Sequence, residues 1–140
     1  MCIAKGEHPH PLKAIEEGGR CTWFVPSSTP VATRKQWIAG TLRPAGAIGI
    51  DGGAVTALMS GKSLLPAGVI STVGRFERGD TVSVLAPDGS EIARGICAYS
   101  DSDAARIMGR KSLDIEAALG FRGRDEMIHR DDLVLLKALP

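Results

Sequence analysis

The sequence predicts a mainly β domain with short helices, an α+β fold of small, barrel-like type. Three observations predict it. Short runs of β-branched or alternating apolar residues recur between turn residues. The helical segments among them are brief, and most stop at a glycine. Glycine is abundant, with 17 copies, and proline adds 8 in 140 residues. That length fits about one domain on a scale of roughly 100–200 residues each. A chain of this size buries roughly two-thirds of its unfolded surface, enough for a real core.

The elements follow in order. Leu12 and Ile15 after Pro11 predict one short helix, stopped at Gly18-Gly19. Cys21–Val25 is a short β-prone run. Pro26-Ser27-Ser28-Thr29-Pro30 is a linker by composition. Thr29 is also an N-cap candidate, with Pro30 at the first helical position of a helix reaching Ile38 and stopped by Gly40. From Gly40 onward the texture changes. Ala47–Asp51 is extended, and Gly53–Ser60 carries Val55, Leu58 and Met59 at helical spacing before Gly61. Gly68–Val73 is a strand. Asp80–Ala86 alternates Val82 and Val84 with polar neighbours, and Pro87-Asp88-Gly89-Ser90 turns it back into Glu91–Tyr99 as a hairpin. Ser100–Met108 and Ser112–Leu119 are helices ending at Gly109 and Gly120, and residues 131–137 form a last strand.

Composition excludes several function classes. Lys plus Arg is 17 and Asp plus Glu is 16, a net charge of +1, so the chain lacks the basic signature of a duplex binder. The longest uncharged stretch, Cys21 to Thr33, is broken by Pro26 and Pro30, and a spanning helix needs about 20 apolar residues. No membrane segment is expected. The first residues carry Lys5 and Glu7 without a hydrophobic run, against a signal peptide. Cys2, Cys21 and Cys97 have no CxxC spacing and read as free thiols in a reducing cytoplasm.

Several segments then become recognisable together. They are Arg34-Lys35-Gln36-Trp37-Ile38-Ala39-Gly40, Lys62-Ser63-Leu64-Leu65-Pro66-Ala67-Gly68-Val69, Phe76-Glu77-Arg78-Gly79-Asp80, Glu91-Ile92-Ala93-Arg94-Gly95 and His129-Arg130-Asp131-Asp132-Leu133-Val134. Their order and spacing resemble the hinge and C-terminal PUA domain of bacterial glutamate 5-kinases. Gly6-Glu7-His8-Pro9-His10-Pro11-Leu12 and Cys21-Thr22-Trp23-Phe24 resemble the closing part of the preceding amino-acid kinase domain, with Cys21 where many relatives carry glycine. The resemblance implies a PUA-like pseudo-barrel over residues 33–140, preceded by a kinase-domain remnant and linker over residues 1–32. It implies a parent enzyme that uses ATP and Mg²⁺ to phosphorylate the side-chain carboxylate of L-glutamate, opening proline biosynthesis. The kinase domain is then the partner, in a homo-oligomer. Phosphoryl transfer needs a phosphate cradle and positioned metal, and the family's segments for that lie upstream of anything present here. Catalytic, cofactor-binding and metal-ligating residues are therefore expected to be none in this chain, whose own role is regulatory or oligomer-supporting.

Other constellations carry weaker signals. Gly46-x-x-Gly49-x-x-Gly52-Gly53 leads from strand to helix, where free N–H groups bind phosphate, but matches neither GxGxxG nor a P-loop, and close packing is favoured. Gly120-Phe121-Arg122-Gly123 mimics a KH loop but lacks the second helix. Cys2, His8, His10 and Cys21 suit zinc by type and not by spacing. His129-Arg130-Asp131-Asp132 reads as a charged turn before a strand. RNA binding, which PUA domains of RNA-modifying enzymes perform, is the alternative function. Residues 101–140 hold one more acidic than basic side chain, which opposes it. Residues 33–63 favour it, with Arg34, Lys35, Arg43 and Lys62 against Asp51 alone. Those four are the candidate RNA contacts.

Overall fold

The computed structural model describes residues 1–7, 9–25, 29–41 and 43–136. Its main body is a five-stranded sheet of β3 (Gly46–Ile50), β4 (Val69–Gly74), β5 (Thr81–Leu85), β6 (Glu91–Ile96) and β7 (Leu133–Leu135), in the order β4-β3-β5-β6-β7. β3 runs parallel to β5, and every other neighbouring pair is antiparallel. The parallel pair is possible because α3 (Gly52–Met59) and β4 lie between β3 and β5 in the chain, long enough for a crossover.

Among the described residues the sheet does not close, and β4 and β7 are its edges. The expected pseudo-barrel is thus an open mixed sheet. β7 has only three residues and pairs with β6 alone, so it offers little edge for closure. An isolated bridge between Leu64 and Ile128 ties the loop after α3 to the segment before β7.

The alternation read in Asp80–Ala86 places Val82 and Val84 in the core. Ile48, Ile50, Leu58, Leu64, Val69, Phe76, Ile107, Met127 and Ile128 join them in one cluster. Close packing explains two glycines of the strand-to-helix run. A Cβ on Gly46 would come within 2.6 Å of the Phe76 ring, and one on Gly49 would collide with the Ser71 hydroxyl.

The helices follow their caps. Ser100 Oγ accepts from the Asp103 N–H at the start of α4 (Asp101–Ile107). Residues 112–114 form a 3₁₀ turn before α5 (Ile115–Leu119), so the single helix expected there is split. Gly120 ends α5 with φ of 82°, a conformation natural to glycine. The expected strand over 131–137 begins instead with a 3₁₀ turn at Arg130–Asp132, and its last residue lies outside the described residues.

The N-terminal part is built differently. β1 (Cys2–Ala4) pairs antiparallel with β2 (Cys21–Trp23) across α1 (Pro11–Glu16). β1 is absent from the sequence expectations, because three residues carry no legible period. Among the described residues before Ile38, none is buried. Met1, Leu12, Trp23, Phe24 and Val25 are all half exposed or more, Trp23 at 64%.

α2 (Pro30–Ala39) joins the two parts. Thr29 caps it, accepting from the Ala32 N–H at 3.3 Å, with Pro30 in the first turn. The boundary expected after residue 32 falls inside this helix. At its far end Arg94 of β6 donates to the carbonyls of Ala39 and Thr41. The same guanidinium forks onto Glu91, Nε to Oε1 at 2.8 Å and Nη2 to Oε2 at 3.2 Å. Ser83 Oγ donates to Glu91 at 2.6 Å, completing the network.

Candidate nucleic-acid interface

The four basic residues expected to contact RNA occupy three different settings. Arg34 sits in α2, which packs against β7 and the 3₁₀ turn at residues 130–132. Its Nε lies 2.9 Å from Oδ1 of Asp132, whose side chain is largely withdrawn from solvent. Arg34 is therefore engaged within the domain. Arg43 stands just before β3 and is exposed. It lines neither groove described below.

Lys35 and Lys62 do come together. They line a groove of about 250 Å³ whose wall is Leu58, Gly61 and β7. Arg130 joins them, with Asp131 beside it. The loop after α3 reaches this place because Leu64 and Ile128 exchange backbone bonds, and because the Arg130 N–H donates to Ser63 Oγ at 3.0 Å. Three cations and one carboxylate thus share one edge of the domain. Arg130 was outranked in the sequence by the acidic balance of its own segment. The signal that finds it is spatial: the charge that matters is the sum over Lys35, Lys62 and Arg130, not over residues 101–140.

Lys62 also borders a second, more apolar groove of about 420 Å³. It runs between α3 and the Leu65–Gly68 segment. A Cβ on Gly68 would meet the Ala54 Cβ at 2.6 Å, so glycine allows the two to pack. The start of α3 is already satisfied: Asp51 Oδ1 accepts from the Ala54 N–H at 2.7 Å, and the Asp51 N–H donates to the Gly68 carbonyl. A carboxylate thus occupies the place where a phosphate would sit in the phosphate-loop reading.

His129–Asp132 forms a charged turn in which His129 Nδ1 accepts from the Asp131 N–H at 3.2 Å. In Gly120–Gly123, Gly120 caps α5 while Gly123 lies against the Tyr99 hydroxyl, and no α-helix follows among the described residues. Cys2 and Cys21 lie on paired strands, and His8 is outside the described residues. Among those described, no group of three or more His, Cys, Asp or Glu is placed to hold a metal ion. No helix among them is long and apolar enough to cross a membrane.

Residues 46–119, from β3 through α5, match the family model described as the PUA domain. The chain belongs to the PUA domain family. The chain is 58% identical over 135 residues to the glutamate 5-kinase of Paramagnetospirillum magneticum, covering 96% of this chain and 36% of the relative. It is 60% identical over 135 residues to that of Rhizobium leguminosarum bv. trifolii, covering 96% and 35%. The chain thus spans about a third of the length of the curated relatives it matches. Among solved structures, a PUA domain from Aeropyrum pernix K1 aligns with TM-score 0.47 and 24% identity over 61% of this chain and 41% of that one. The match to glutamate 5-kinases extends well outside the PUA model, so it includes β1, α1, β2 or α2 as well as the sheet.

Proposed function

We propose that this chain serves as the PUA domain of a glutamate 5-kinase, and that its N-terminal segment completes the attached kinase domain. In this reading its own role is non-catalytic: it supports folding and subunit contacts of a homo-oligomeric enzyme and modulates it. The parent would transfer a phosphoryl group from ATP, with Mg²⁺, to the side-chain carboxylate of L-glutamate, in the cytoplasm, for proline biosynthesis. The observation that carries the reading is the unburied N-terminal segment. α1, β2 and the two residues after β2 hold Leu12, Trp23, Phe24 and Val25 in the open without reaching the core. Exposed apolar clusters and open strand edges call for a partner, and relatives at 58–60% identity carry this sequence within longer kinases. The domain boundary then falls before Thr29, which caps α2.

Mixing this chain with a separately produced kinase region of the Paramagnetospirillum enzyme tests the reading. Association with a blue shift of Trp23 fluorescence is expected. Absence of association at micromolar concentrations overturns the docking role, and turnover of glutamate and ATP by this chain alone overturns the non-catalytic one.

RNA binding is the second reading, and the convergence of Lys35, Lys62 and Arg130 favours it. Neutralising three phosphates gives a slope of about −2 in log affinity against log salt for a single strand. Titration of structured and single-stranded RNA at low salt tests it, and flat titrations remove it.

A further inference from the structure

A third cavity, of about 430 Å³, opens on the face of the domain between the Phe76–Asp80 loop, the start of α4 and residues 121–124. Three guanidiniums line it: Arg78, Arg122 and Arg124. Among the described residues none of the three has a carboxylate within ion-pair distance, and none donates a side-chain hydrogen bond. Arg34, Arg94 and Arg106, by contrast, are engaged, on Asp132, on Glu91 and on the Ala118 carbonyl. Unpaired guanidiniums converging on a cleft are the usual recognition device for phosphate or carboxylate.

The cleft is held in shape from within. The buried Tyr99 donates its hydroxyl to the Arg124 carbonyl, and Gly123 lies against that hydroxyl where any side chain would collide. This fixes the backbone on which Arg122 and Arg124 are mounted. Phe121, 49% exposed, stands on the rim with a ring open to a ligand. Glu77 and Asp103 also line the cleft, and neither carboxylate has an ion-pair partner.

We propose that this cleft is a binding site for a nucleoside monophosphate, with Arg78, Arg122 and Arg124 around the phosphate and Phe121 against the base. The two carboxylates accept from N–H groups of the base and repel a second phosphate, which selects a mononucleotide over a polynucleotide. The volume lies within the roughly 300–1,000 Å³ of small-molecule sites. A single aromatic–base stack contributes on the order of a tenfold gain in affinity. The site is separate from the Lys35, Lys62 and Arg130 groove and shares no lining residue with it.

Calorimetric titration of the full chain with adenosine 5′-monophosphate, ribose 5-phosphate and L-glutamate tests the assignment. The monophosphate is expected to bind most tightly. The double variant Arg78→Gln/Arg122→Gln is expected to weaken it at least tenfold while leaving thermal stability unchanged, since both residues are exposed. Phe121→Ala is expected to weaken the nucleotide about tenfold and leave ribose 5-phosphate unaffected. Lys62→Ala is expected to change nothing. Absence of nucleotide binding at millimolar concentration, tighter binding of L-glutamate, or nucleotide affinity that survives the double arginine variant or is lost in Lys62→Ala each overturns the proposal.

Discussion

Arg34 and Asp132 come from opposite ends of the sequence and meet at 2.9 Å, pinning α2 to the 3₁₀ turn that enters β7. Asp132 is the more enclosed partner, so removing Arg34 leaves a carboxylate poorly solvated. Arg34→Ala is expected to cost about 1 kcal/mol, the upper end for a pair with one exposed member. Urea denaturation of Arg34→Ala, Asp132→Asn and the double variant measures it. Additive losses would show that the pair does not interact.

The same pair separates structural from binding arginines. Lys35→Ala, Lys62→Ala and Arg130→Ala are each expected to reduce the salt slope of RNA binding by about 0.7. Arg34→Ala is expected to leave the slope unchanged. Titration at two or more salt concentrations distinguishes them, and an equal effect of all four variants contradicts the grouping.

Glu91 predicts a pH dependence on the acid side. The hydrogen-bonded Arg94 guanidinium holds its carboxyl below the usual carboxylate range, and Ser83 adds to the effect while partial burial opposes it. A carboxylate with a lowered folded pKa contributes stability above its unfolded pKa and loses it as pH falls through the folded value. Stability should therefore decline below about pH 4.3, the ordinary glutamate value. Glu91→Gln is expected to flatten that decline and to loosen the end of α2 that Arg94 holds. Thermal unfolding between pH 3 and 6 tests both.

Cys97 predicts the alkaline side. Burial pushes its thiol from 9.0 up to about 11. The folded state favours the protonated thiol, so its stability contribution is complete below pH 9 and is lost as pH rises toward 11. Native protein at pH 8 should react with a thiol reagent at Cys2 and Cys21, both partly exposed, and not at Cys97. Labelling followed by peptide mapping tests it, and fast native labelling of Cys97 refutes the burial argument.

Gly95 predicts the packing limit of the sheet. A Cβ there would approach Ile128 Cγ2 at 2.6 Å and the Asp132 carbonyl at 3.0 Å. Gly95→Ala is expected to destabilise the domain by about 1–3 kcal/mol. The strain falls on the segment that carries Arg130, so weaker RNA binding should accompany it. A variant of unchanged midpoint would show that the Ile128–Asp132 segment yields freely.

Elements whose signals are local are legible in the order of the residues. Thr29 with Pro30 marks the start of α2, Ser100 the start of α4, and Pro87–Ser90 the turn between β5 and β6, because caps and turns satisfy their own backbone within a few residues. Val82 and Val84 announced their burial through strand alternation. The quoted segments also carried the family resemblance. Tertiary structure alone decided the sheet order, the opening of the expected barrel, the three-residue β1 and the split before α5. It also decided which charges are spent and which are free. Arg34 and Lys35 are neighbours in sequence, yet one is consumed by Asp132 while the other faces Lys62 and Arg130. Electrostatic recognition depends on separation in space and on competing partners, and neither is written in the order of the residues.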